Sequence, residues 1–170
     1  MHTVKAPQAR GVMLIHSARA ALCPHIEWAL GAVLGSAQPL DWTNQPAERG
    51  TRRAELSFTA PAGTGALLAS RLKAWENVRF EVTEEPTPGS DGMRWSYTPS
   101  LGLFSSAIGV HGDVLVHEDR IKQAVAAEAL GGASIHDALH RLLGTAWDDE
   151  LEIFRHAGED APVRWLHQVV

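Results

Sequence analysis

Two rhythms of apolar residues run along the chain. In "RRAELSFTA", residues 52–60, Ala54, Leu56 and Phe58 fall on one side and Arg53, Glu55 and Ser57 on the other. That period of two marks a half-buried strand. Val78, Phe80 and Val82 repeat it within 77–85, and "GVMLIHS", 11–17, is a short apolar run bounded by Gly and Ser, which predicts a buried strand. Elsewhere the period lengthens. Leu68, Leu72 and Trp75, at i, i+4 and i+7, predict a helix over 66–75. Residues 24–35 predict another, with Pro24 at its first position and Gly35 near its end. "PLDWTNQ", 39–45, adds a short strand. The order strand, helix, strand, strand, helix, strand is that of a ferredoxin-like split βαβ unit. It makes 11–17 a central strand, expected between strands two and three.

The turn "PTPGSDG", 86–92, interrupts this pattern. Beyond it, 93–99 and 101–110 predict a β-hairpin, and "HGD" is a turn before the strand-like "VLVH". Helices follow at 118–130, at 134–144 and from Thr145. Ser134 with Asp137 three residues on is a short capping box, and Ile135, Ala138, Leu139, Leu142 and Leu143 form an apolar stripe. "PVRWLHQVV" predicts a terminal strand. The expected fold is α+β: a ferredoxin-like βαββαβ N-terminal half, then a β-hairpin and a helical C-terminal half. Residues 1–10 read as a disordered lead-in, 11–86 as the α/β unit, and 92–170 as the part packed on it.

Composition narrows the function. At 45% hydrophobic and 21% charged residues the 170-residue chain can bury a globular core without cross-links. Its one cysteine permits no internal disulfide and fits a reducing cytoplasm. A net charge of −5 argues against nucleic-acid binding, and the flanked cluster Arg49, Arg52 and Arg53 reads as a solvated strand entry. No apolar run suits a signal peptide or a membrane span. Six Trp spread along the chain read as large core anchors.

Three places could carry chemistry. Cys23 sits where a helix N-cap is expected, and the unpaired N–H groups there can activate a thiol, with His25 or His16 as base. Against this, Glu27 in the first turn opposes a thiolate, and a buried cysteine is commonly a small hydrophobe. His136 and His140 have the i, i+4 spacing of a chelating pair, but no third ligand is evident, and a solvated helix flank explains them. Trp28, Gly31, Ala32 and Gly35 make the outer side of the first helix apolar as well. A helix apolar on both sides is expected to be covered on both. The C-terminal helices are the expected cover, and a second copy of the chain is the alternative. Trp28, Gly31 and Gly35 are thus candidate ligand- or partner-binding positions.

Several segments together resemble a known family: "RGVMLIHSA", "ALCPHIEWALGAVLG", "WSYTPSLGLF", "HGDVLVHEDRI" and "VRWLHQVV". They are similar to uncharacterised proteins common in actinobacteria and catalogued as a domain of unknown function. The resemblance runs from about residue 10 to the C-terminus. It implies a cytoplasmic protein and brings no catalytic residues. No nucleotide loop, catalytic triad or metal motif is complete, and no cofactor is expected. The expected role is therefore non-catalytic: regulation through a protein partner or small molecule. The rival expectation is an enzyme using Cys23.

Overall fold

The structure, a computed structural model, describes residues 6–157. Its strands are β1 (Gln8–Arg19), β2 (Thr43–Asn44), β3 (Thr51–Pro61), β4 (Arg79–Glu84), β5 (Gly92–Thr98), β6 (Gly102–Ile108) and β7 (Val114–Leu115). They form one sheet in the order β2-β3-β1-β4-β5-β6-β7, with every neighbouring pair antiparallel. The helices are α1 (Cys23–Leu34), α2 (Thr64–Leu72), α3 (Glu118–Ala129), α4 (Ile135–Leu143) and α5 (Thr145–His156). The fold is α+β.

Residues 11–17 are central, but their neighbours differ from those expected. β1 pairs with β3 and β4, and strand two lies at the sheet edge beside β3. Of 39–45 only Thr43 and Asn44 pair, because the Glu27 carboxylate takes the Leu40 N–H and the Trp42 indole N–H, each at 2.9 Å, and holds that stretch away from the ladder. β1 begins inside the expected lead-in, with Gln8 to Arg10 opposite Pro61 to Thr59. The turn at 86–92 does not divide the sheet, since β4 and β5 pair across it from Phe80–Tyr97 to Glu84–Met93.

Strand alternation gives the sheet two unlike faces. Met13 and Ile15 of β1, Phe80 and Val82 of β4, and Trp95 and Tyr97 of β5 face α1 and α2, meeting Ile26, Leu30, Leu68 and Leu72 in a buried core. Phe80 and Tyr97 stack there at 5.3 Å. At about 25 cal/mol per Å² of apolar area, this layer supplies most of the drive to fold. On the other face the polar His16, Glu81, Arg94 and Ser96 gather against α5, beside Val12 and Leu14 of β1.

The outer side of α1 does not match the expectation. Trp28 is 78% exposed, and Ala32 and Gly35 are exposed too. The C-terminal helices lie elsewhere: α5 packs on β1 and β5, α4 on α5, and α3 on α4. The nearest atom to a Cβ at Gly31 would be Ser36 O, at 3.0 Å, in the turn after its own helix. Ala and Gly carry so little apolar area that leaving them in water costs little, so an apolar stripe built from them is weak evidence of cover. The Trp residues divide likewise: Trp95 is in the core, Trp42 and Trp75 lean on it, and Trp28 does not. Trp165 and the expected strand 162–170 lie outside the described residues.

One contact sets how closely the three central strands approach. A Cβ on Gly11 would fall 2.3 Å from Phe58 Cζ and 2.6 Å from Thr83 O. The ring can turn, but the carbonyl belongs to β4 and cannot move without the sheet. Gly11→Ala is expected to cost about 1–3 kcal/mol through overpacking. Urea unfolding measures it, and an unchanged midpoint would mean that β1 can slide away from β4.

Candidate functional site

The polar face carries a buried ionic cluster built from three adjacent strands and one helix. A bulge in β1 contributes His16: pairing with β3 jumps from Ile15 to Ala18, and pairing with β4 from Ile15 to Ser17. The bulge frees the His16 carbonyl, which accepts from Gln45 Nε2 at 2.7 Å. The same amide group reaches Phe154 O at 3.2 Å, one of the last carbonyls of α5. The His16 ring donates through Nε2 to Glu81 Oε2 at 2.7 Å. Arg155 of α5 grips both oxygens of Glu81, Nε to Oε2 at 3.0 Å and Nη2 to Oε1 at 2.5 Å. Arg94 Nη2 adds 3.0 Å to Oε1, and Ser96 Oγ lies at 3.4 Å. Asp148 of α5 accepts from Arg94 and, at 2.8 Å, from Arg155.

Burial alone would raise the Glu81 carboxyl, but the bonds from His16 and Arg155 outweigh it and hold the group well below the usual carboxylate range. Burial would likewise lower Arg155, yet Glu81 and then Asp148 drive it above the ordinary arginine value. Glu81 accepts from four side chains and is buried, so it has neither the free lone pair nor the access that a general base needs. The cluster fixes α5 to the sheet.

No hydrogen bond among the described residues joins Cys23 to His25 or His16. Cys23 opens α1 one position later than an N-cap, which is Leu22. It is buried, and its Sγ points to Arg19 O at 3.8 Å. Burial pushes the thiol up; Arg52 pulls it down in part, and Glu27 adds to the rise. His25 is exposed, and the His16 Nε2 is committed to Glu81. His136 and His140 stack at 4.3 Å, and no group of three metal-ligating side chains occurs among the described residues.

Sequence reasoning missed a groove at the other end of the sheet. β7 pairs with β6 only at Ala107 and Ile108. The chain then peels away through Val116 and His117 into α3, opening a groove of about 380 Å³ beside the rest of β6. Arg120 of α3 and Arg141 of α4 line it with His117, and the described lining residues include no Asp or Glu. Neither arginine has a carboxylate partner among the described residues. Trp147 of α5 closes one end: its indole donates to Gly102 O at 2.9 Å and its ring packs on Phe104 at 5.2 Å. Gly144, with φ +74°, turns α4 into α5 at this point, where a Cβ would strike the Phe104 ring at 2.6 Å.

A family model described as "Protein of unknown function (DUF3145)" matches residues 12–168. The chain belongs to the DUF3145 family. No curated protein and no solved structure matches it. The matched DUF3145 span takes in the ionic cluster, Cys23 and the groove alike, so the roles of these residues rest on their geometry.

Two measurements test these assignments. Glu81→Gln takes the paired carboxylate from the buried Arg155, leaving it Asp148 and the more distant Glu152, and is expected to cost about 3 kcal/mol in urea unfolding at pH 7. The folded Glu81 titrates below its unfolded value of about 4.3. Its contribution is therefore complete above that pH and is lost as the pH falls through the folded value. The variant should show a shallower loss of stability on acidification, and an equally steep one would remove Glu81 from the account. Cys23 in the native chain should react with a thiol reagent at neutral pH far more slowly than in the urea-unfolded chain. Equal rates would revive the nucleophile.

Proposed function

We propose that this chain is a cytoplasmic, non-catalytic binding protein, regulatory in role, that takes an anionic partner in the groove between β6 and helices α3 and α4. The observation that carries this reading is the pair Arg120 and Arg141. Among the described residues, both face a groove free of acidic side chains and have no carboxylate partner, in a chain whose net charge is −5. The buried arginine Arg155, by contrast, is neutralised from within. Exposed cations in a concave site favour anions through charge-assisted hydrogen bonds. The enzyme reading has less support, since burial raises the Cys23 thiol and its Sγ is directed to the Arg19 carbonyl rather than to a histidine. A cytoplasmic location fits one unpaired thiol, and no described helix is long and apolar enough to cross a membrane.

Anilinonaphthalene sulfonate, an aromatic anion, is a suitable probe. It should bind the native chain at one saturable site, read by fluorescence, and the Arg120→Ala/Arg141→Ala variant should bind at least tenfold more weakly while keeping its circular dichroism and unfolding midpoint. Equal binding by a folded double variant would overturn the assignment of the groove.

A further inference from the structure

We propose that the groove receives its partner as an extended acidic peptide segment, added as a strand to the outer edge of β6. This deepens the binding role assigned to the groove and rests on it. The groove runs along a sheet edge. β6 pairs with β5 from Gly102 to Ile108, but on its other side β7 reaches only Ala107 and Ile108. From Leu103 to Ser106 no strand of the described residues lies on that side. The Gly109 N–H donates to Asp113 O across the β6–β7 hairpin, and the two-residue alternation of a strand carries that outward aim back to Ser105. A row of main-chain donors and acceptors at an open edge is a template for strand addition.

The opposite wall selects the partner. Arg120 and Arg141 stand there beside His117, with no acidic side chain among the described lining residues, so an added strand with Asp or Glu at alternate positions would set one row of side chains against the two arginines. The other row can rest on Leu103 and Leu115, which are 38% and 40% exposed. Trp147, bonded to Gly102 O, stops the groove at one end, so the segment is short. A chain of the opposite overall charge makes this local basic wall a selective feature, steering acidic segments to one place.

The test selects a phage-displayed random heptapeptide library on the full chain, then measures binding of a synthetic enriched peptide by fluorescence anisotropy and main-chain hydrogen exchange. The expected result is enrichment of Asp or Glu at every second position, slowed exchange within Leu103–Ser106 on binding, and at least tenfold weaker binding to Arg120→Glu/Arg141→Glu. Enrichment without acidic alternation, or binding that leaves Leu103–Ser106 exchange unchanged, would overturn strand addition. So would amides in that stretch already protected in the free chain, because the edge would then be occupied from within. If the sulfonate probe still depends on the two arginines while no peptide protects the edge, the groove stands as a site for small anions and strand addition alone is wrong. If neither ligand depends on the arginines, both readings fail.

Discussion

A buried carboxylate holds this molecule in register. Glu81 stands in the middle of the sheet's second face, and the helix that covers that face is tied to it through the paired bonds of Arg155. Taking two such charges out of water costs several kcal/mol per ion, and the pairing returns little more than that cost. What the arrangement supplies is position. Asp148, two turns before Arg155, meets Arg94 on β5, so α5 is pinned at two points along its length. Trp147 then has one place to go, against Gly102 and Phe104 at the start of β6. Gly144 sets α4 beside it, and α4 carries Arg141 to the groove. The shape of an exposed basic groove thus depends on an ion cluster sealed under a helix.

Two other acids in this acidic chain, the buried Glu84 and the half-buried Glu27, serve as anchors for neighbouring segments. Glu84 reaches from β4 to the Gly63 and Gly65 N–H groups, both at 2.7 Å, and so satisfies the orphan donors at the start of α2. Glu27 holds Leu40 and Trp42. The carboxylates of Glu27, Glu81 and Glu84 are thus spent on holding elements in place. Arg79 belongs to the same economy of charge, bonded to Glu48 at 2.8 Å and lying over the Phe154 ring.

Much of the fold was legible because local signals agreed with it. The period-two runs at 52–60 and 77–85 became β3 and β4, and Ala54 and Phe58 are buried as their alternation required. Ser134 Oγ accepts the Asp137 N–H, as the capping box implied. What could not be read was cover. The pattern of β4 places Glu81 opposite Phe80 and Val82, but alternation cannot tell a solvated face from one hidden by a helix seventy residues later. A usable hint did exist: His16, Glu81 and Arg94 are charged or polar on three central strands, and Asp148 and Arg155 lie seven apart on one helix face. Trp28 failed in the opposite direction, because size suggested burial and the helix buries Cys23, Ile26, Ala29 and Leu30 instead. The groove had no sequence signature, since it arises where β7 ends after two residues.

The unlike faces of the sheet also bear on how the chain can be made. The apolar face closes over contacts contributed by residues 13 to 97, all of which leave the ribosome before α5 exists. Chains fold as they emerge, N-terminal parts first. Until residues 145–156 arrive, the second face is bare, and it presents His16, Glu81, Arg94 and Ser96 to water beside Val12 and Leu14, a mixed surface rather than a layer of leucines. A half-finished sheet of this kind is less adhesive than a wholly apolar one, and the last helix then completes the fold by covering its charges together with its few apolar side chains.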